Sequence, residues 1–215
     1  MNQHSSSSKL YLLDLGDGID EAIFREWSQR IPEERSAALS RFHFRADAER
    51  SLAGEILARA ALSMAAALPP SAFRFARGPH GKPAATSALP HRAPLPEFNI
   101  SHSGQFVACA ISSRPIGVDV EKFFSPDEAM LQRICAPGES AFIRKSAGLS
   151  PAAAFTLLWT LKESWLKARG QGLEENLPGI DFSPFLSRPS AFTAKAHRFQ
   201  SFFRDDYAIS VCERL

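Results

Sequence analysis

IGVDVE, residues 116–121, alternates apolar and acidic side chains and reads as a β-strand, with Ile116, Val118 and Val120 on one face and Asp119 and Glu121 together on the other. Just before it, Ser112-Ser113-Arg114-Pro115 reads as a turn, and QFVACAIS (105–112) as a further strand. Toward the N-terminus, Leu10 to Leu15 reads as a strand, and Asp20 to Gln29 and Pro32 to Phe44 as amphipathic helices. Asp47 to Leu68 is a longer helix with Leu52, Ile56, Leu57, Ala60 and Met64 at helical spacing, closed by Pro69 and Pro70. The short strands FRFAR (73–77) and FNIS (98–101) follow, separated by a Pro-rich loop. Toward the C-terminus, helices are expected at about Pro126 to Cys135, Pro137 to Ala147 and Pro151 to Arg169, then Phe-rich strands ending in YAISVCE (207–213). Both halves thus run strand, helices, strands, and FVACAIS echoes YAISVCE. The fold class this predicts is α+β, with two similar subdomains, 9–114 and 115–215, after a disordered terminus at 1–8, and a cleft between the subdomains as the natural site.

The 215 residues are 45% apolar and 22% charged, a balance that supports a sizeable core. Lys and Arg total 25 against 23 acidic residues, and the net charge of +2 argues against nucleic acid or an anionic membrane as the main partner. Cys109, Cys135 and Cys212 form no CxxC pair, which fits a reducing, cytoplasmic setting better than a disulfide framework or zinc site. The start, MNQHSSSSKL, has no apolar h-region, and the stretch Ala58 to Leu68 is too short to span a bilayer.

Several residues can carry chemistry. Asp119 and Glu121 suit either an ordinary strand with a polar face or a divalent-cation site built from hard oxygen ligands. In PAAAFTLLWTLKESWLKARG (151–170), Ser150 stands as N-cap and Pro151 as first helical residue. Glu163 and Lys167 lie four apart, away from the apolar stripe, as either a solvated ion pair or a functional one. Lys162 falls on the edge of that stripe, where a lysine either snorkels or meets an anion in a cleft. HGKP (80–83) presents Lys82 from a Gly-Pro turn, and FNISHSG (98–104) ends a strand in small polar residues around Ser101 and His102. Both could hold phosphate oxygens, and both also suit ordinary turns and strand ends. Arg50 and Ser51 sit on the long helix as surface residues, and Trp159 reads as packing.

Taken in order, GKP, FNISHSG, IGVDVE and WTLKESWLKARGQGL resemble the motif series of the Sfp-type 4'-phosphopantetheinyl transferases. The second half carries G-x-D-x-E and then W-x-x-K-E-x-x-x-K, here Gly117, Asp119, Glu121, Trp159, Lys162, Glu163 and Lys167. PEERSAALSRFHFRADAERSLAGEILAR (32–59) is similar to the family's N-terminal helical region, so the resemblance runs from about Pro32 to Gly172.

The resemblance implies the 4'-phosphopantetheinyl transferase-like fold, a pair of subdomains related by a pseudo-twofold axis with coenzyme A between them. It further implies an enzyme that moves the phosphopantetheine arm of coenzyme A onto a serine of an apo acyl or peptidyl carrier protein. Asp119, Glu121 and Glu163 would hold magnesium, with manganese as a substitute. Lys82, Ser101, His102 and Lys162 would lie along the nucleotide and its phosphates, with Arg50 and Ser51 near the 3'-phosphate. Glu163 would act as base, directly or through a metal-bound water, and Lys167 would stabilise or protonate the departing adenosine 3',5'-bisphosphate. The stretch matching additional basic residues of the family is here Ser36 to Leu39, which directs the 3'-phosphate toward Arg50 rather than Arg35 or Arg41. The competing readings are a magnesium-dependent nucleotide pyrophosphate hydrolase and a non-catalytic binding module. A monomer is expected, since the internal repeat supplies the interface that a homodimer would otherwise make.

Overall fold

Residues 8–78, 81–91, 93–145, 148–170 and 176–215 are described by the computed structural model. The disordered terminus expected at 1–8 lies outside them apart from Ser8, as do His80, Ala147, Gln171 and Gly172. The chain divides into two units, residues 1–113 and 114–215.

In the first unit, β1 (Lys9–Asp14) is followed by α1 (Glu21–Ser28), α2 (Glu33–Leu39) and α3 (Arg45–Ala66). Asp20 starts α1 by accepting a hydrogen bond from the Ala22 backbone N–H. The single helix expected over Pro32 to Phe44 is in fact shorter: α2 stops at Leu39, where the Ser40 hydroxyl bonds the Ala37 carbonyl, and Phe44 is extended before α3 begins. Serine's competition for backbone carbonyls ends the helix where apolar periodicity would have carried it on. Next come β2 (Phe73–Arg77), β3 (Pro83–Ser87), β4 (Glu97–Ser103) and β5 (Phe106–Ser112). The strand β3 carries no hydrophobic alternation and starts at a proline, which is why sequence periodicity passes over it; it pairs antiparallel with β2 as a hairpin. The main sheet has the order β1-β5-β4, antiparallel throughout. Its central strand β5 is buried along its whole length, and Ala58, Ala61 and Leu62 of α3 pack with Phe98, Cys109 and Ile111 of the sheet.

The second unit repeats this plan. After β6 (Ile116–Lys122) come α4 (Glu128–Ile134), α5 (Pro137–Lys145) and α6 (Pro151–Arg169), then two short 3-10 turns and β7 (Ala191–Ala194), β8 (His197–Arg204) and β9 (Tyr207–Arg214). The sheet order is β6-β9-β8-β7. In both units the first strand therefore pairs antiparallel with the last, and the penultimate strand lies on the far side of the last. The helix α6 begins as its sequence predicts, with the Ser150 hydroxyl accepting from Ala153 N–H and Pro151 next, and it ends at Gly170 in the left-handed conformation. Its Phe155, Leu157, Leu158 and Leu161 join Phe182, Phe199 and Cys212 in the core.

Candidate functional site

The strand β6 is buried on both faces rather than half-exposed. Ile116, Val118 and Val120 are fully covered, and on the opposite face Asp119 is only 2% exposed while Glu121 is half-buried. That second face lies under α6, and Gly117 is the reason it can. A Cβ at Gly117 would stand 2.0 Å from the Ser164 carbonyl oxygen and 2.4 Å from the Ala168 nitrogen, so only a bare α-carbon lets the strand and helix backbones come this close. The helix contributes Thr156, Thr160, Ser164 and Ala168, small residues four apart, to the same close packing. Thr156 Oγ1 accepts from Phe124 N–H at 3.1 Å, just past the end of β6, and Thr160 Oγ1 shares a hydrogen bond with Ser210 Oγ of β9 at 2.8 Å.

With helix and strand in that register, the ammonium of Lys167 sits 2.6 Å from Asp119 Oδ1. A carboxylate as buried as Asp119 needs such a partner. Glu163, one turn earlier, is half-buried, and its Oε1 is buried without a hydrogen-bond partner. Burial pushes the Glu163 carboxyl from 4.5 up to about 7; the nearby charge of Asp119 and, more weakly, Glu121 pushes the same way, while Lys167 opposes. Asp119, Glu121, Glu163 and Lys167 are thus one electrostatic group.

The donor set suits magnesium: hard carboxylate oxygens, one of them buried without a partner, among like charges that a divalent cation would relieve. Among the described residues no three His, Cys, Asp or Glu side chains converge closely enough to cage an ion, and Lys167 stands as the local counter-charge to Asp119.

The raised Glu163 carboxyl has a consequence for stability. Above 4.5 the unfolded chain loses this proton while the folded chain keeps it until about 7, so folding takes up a proton and the protein loses stability as pH rises through that window. Glu163→Gln removes the penalty. In chelator, its stability relative to the parent chain is expected to grow between pH 4.5 and 7 and then level off, at a gain of up to about 3 kcal/mol. Urea unfolding at a series of pH values checks this, and a difference independent of pH would contradict it.

Lys162 requires a correction. It does not stand at the edge of the apolar stripe with its ammonium snorkelling or facing a cleft: it is 0% exposed, and its three ammonium protons go to the Ile134 carbonyl (2.6 Å), Glu139 Oε2 (2.7 Å) and the Leu177 carbonyl (2.8 Å). Glu139, equally buried, also accepts from Ala136 N–H and Phe182 N–H, both at 2.7 Å. Burial pushes the Glu139 carboxyl up and the Lys162 ammonium down, and their mutual hydrogen bond resists both changes. With every ammonium proton on an acceptor, the charged pair is the form the geometry supports. Glu139 is the residue that sequence reasoning missed. A signal existed: Pro137 and Glu139 follow Ala136 as first and third helical positions, and such a glutamate reaches back to the capping backbone N–H.

In the first unit, Arg50 is held by the Asp47 carboxylate and donates to the Gly104 carbonyl at 3.2 Å, which brings it to the turn between β4 and β5. Ser101 and His102 lie on β4 just before that turn, Ser101 buried and His102 exposed, and Ser51 is half-buried beside Arg50 on α3. Lys82 is half-buried immediately before β3. Arg35 Nε is committed to Glu55 Oε2 at 2.8 Å.

Two family descriptions account for most of the chain. A sequence model of the 4'-phosphopantetheinyl transferase superfamily matches residues 115–212, and one described as the N-terminal part of a 4'-phosphopantetheinyl transferase matches 20–114. The chain is 34% identical over 169 residues to the 4'-phosphopantetheinyl transferase Sfp of Bacillus subtilis, covering 77% of this chain and 72% of that protein. It is 34% identical over 155 residues to the 4'-phosphopantetheinyl transferase gsp of Aneurinibacillus migulanus, covering 72% of this chain. There the match spans only 62% of the relative's own length. An L-aminoadipate-semialdehyde dehydrogenase-phosphopantetheinyl transferase of Xenopus laevis is 29% identical over 184 residues, 81% of this chain and 60% of that protein. The α+β fold, the G-x-D-x-E strand clasped by the K-E-x-x-x-K helix and these matches together place the chain in the 4'-phosphopantetheinyl transferase superfamily.

Proposed function

We propose that this chain transfers the 4'-phosphopantetheine arm of coenzyme A to a serine hydroxyl of an apo acyl or peptidyl carrier protein, releasing adenosine 3',5'-bisphosphate. The observation that carries the reading is the cluster in which Glu163, with its Oε1 buried and without a hydrogen-bond partner, stands one helical turn from Lys167, whose ammonium rests on the buried Asp119. Glu163 is placed to take the serine proton, directly or through an intervening water. The serine oxygen then forms its bond to the phosphorus bearing pantetheine, and the bond from that phosphorus to the oxygen of adenosine 3',5'-bisphosphate breaks. Lys167 supplies positive charge where negative charge collects on the departing phosphate.

Asp119, Glu121 and Glu163 are the residues that would hold magnesium, or manganese in its place. When bound, that cation supplies charge neutralisation for the pyrophosphate. Arg50 and Ser51 are assigned to the 3'-phosphate, and Lys82, Ser101 and His102 to the nucleotide and its phosphates; Arg50 approaching the β4–β5 turn beyond His102 supports grouping them. Lys162 is not assigned to the ligand. We place the protein in the cytoplasm, as a monomer. No helix among the described residues is long and apolar enough to cross a membrane. The three cysteines are buried free thiols, with burial pushing Cys109 up to about 12 and Cys135 up to about 11, as suits a reducing compartment.

The hydrolase reading uses the same carboxylates with water as nucleophile, and neither family description supports it. Chromatography of the nucleotide products separates the two. Release of adenosine 3',5'-bisphosphate from coenzyme A is expected only when a divalent cation and an apo carrier are both present, and it should stop when the carrier's acceptor serine is replaced by alanine. Release at the same rate without any carrier would favour hydrolysis.

A further inference from the structure

Lys162 precedes Glu163 directly, yet its side chain leaves the helix on a different face, into the interior of the second unit, where it meets Glu139. The pair is a hub. Through Lys162 and Glu139, α6 is tied to the C-terminal end of α4 at Ile134, to the first turn of α5 at Glu139, whose carboxylate also caps that helix at the Ala136 N–H, and to Leu177 and Phe182 at the two short turns that follow α6. All three ammonium protons are used, and the Glu139 carboxylate accepts three bonds. A fully satisfied buried network of this kind tolerates little rotation or sliding of the helix that carries it.

We propose that Glu139 and Lys162 are positioning residues for phosphopantetheine transfer: by locking the rotation and register of α6 from its buried side, they fix where Glu163 and Lys167 stand over Asp119 on its other side. The inference rests on the transferase reading above, and it gives the lysine of the K-E motif a role that does not involve touching coenzyme A. The helix is held on that other side by Gly117 and the Thr160–Ser210 hydrogen bond, so it is clasped from two directions. Loosening the Lys162 side leaves the helix present but free to shift, and a displacement of roughly 1 Å at the reacting groups costs about a hundredfold in rate.

The test compares Glu139→Gln, Lys162→Met and the double variant in steady-state transfer to an apo carrier. Assays run at a temperature where urea titration shows each variant folded. A positioning pair predicts that both single variants lose kcat by about a hundredfold with the KM for coenzyme A within about twofold of the parent's. The double variant should be no worse than either single one, because both remove the same lock. Lys162→Arg, which keeps the charge and the donors, should recover part of kcat. A lysine that binds the pyrophosphate predicts a different pattern: Lys162→Met raises the KM for coenzyme A at least tenfold, Glu139→Gln leaves it alone, and the double variant resembles Lys162→Met. That pattern, or near-parental kcat in both folded single variants, would overturn the proposal. Absence of transfer by the parent chain would defeat the transferase reading itself and this inference with it, whereas an active parent with the wrong variant pattern defeats the inference alone.

Discussion

Glu163→Gln is expected to slow phosphopantetheine transfer about 10²–10⁴-fold while leaving the chain folded. The amide keeps the shape of the carboxylate but cannot take the serine proton, and it offers one ligand oxygen instead of two. Urea unfolding in chelator separates this from a loss of folding, because without the cation the amide relieves a buried charge and should stabilise the protein above neutral pH. The activity loss and the stability gain therefore have the same origin in the burial of Glu163 beside Asp119 and Glu121, and they move in opposite directions. Single-turnover transfer at saturating coenzyme A checks the first and urea unfolding the second. A variant within about tenfold of the parent rate would remove Glu163 from the chemistry.

Gly117→Ala should be the most damaging conservative change in the second unit. Its Cβ would enter the space of the Ser164 carbonyl at 2.0 Å and the Ala168 nitrogen at 2.4 Å, both backbone atoms, so no side chain can swing aside. Either α6 lifts off β6 or the strand bends. Overpacking on this scale destabilises by about 3 kcal/mol, the upper part of the usual range, and for a chain of this length that lowers Tm by roughly 10 °C. The same displacement separates Lys167 from Asp119, so activity should fall even at temperatures where the variant remains folded. Gly78→Ala is the control: its Cβ would meet the Lys82 carbonyl at an ordinary 3.5 Å, and little change in Tm is expected. Equal Tm values for the two variants would refute the close-approach argument.

Legibility in the sequence followed the range of each signal. Ser150, Pro151 and Gly170 mark α6 because capping chemistry is local, and the structure begins and ends the helix where those residues stand. Asp119 and Glu121 sharing a face follows from the two-residue period of a strand. That this face is covered by α6 does not, because burial of a polar face depends on what packs above it. Lys162 shows the same limit more sharply. A helical wheel places it at a stripe edge but cannot supply its partner, which lies 23 residues earlier on another helix. The four-residue row Thr156, Thr160, Ser164 and Ala168 takes its meaning only from Gly117 opposite, which no helical wheel of α6 contains. In the first unit, β3 carries no apolar alternation to mark it, because Pro83-Ala-Ala-Thr-Ser pairs through its backbone.

The most direct test of the central claim is the intact mass of apo acyl and peptidyl carrier proteins after incubation with the chain, coenzyme A and magnesium. The account predicts a mass gain of one phosphopantetheine arm on the acceptor serine of at least one carrier, lost with chelator and lost with Glu163→Gln. Carriers that keep their mass while coenzyme A is cleaved in the same mixture would contradict it.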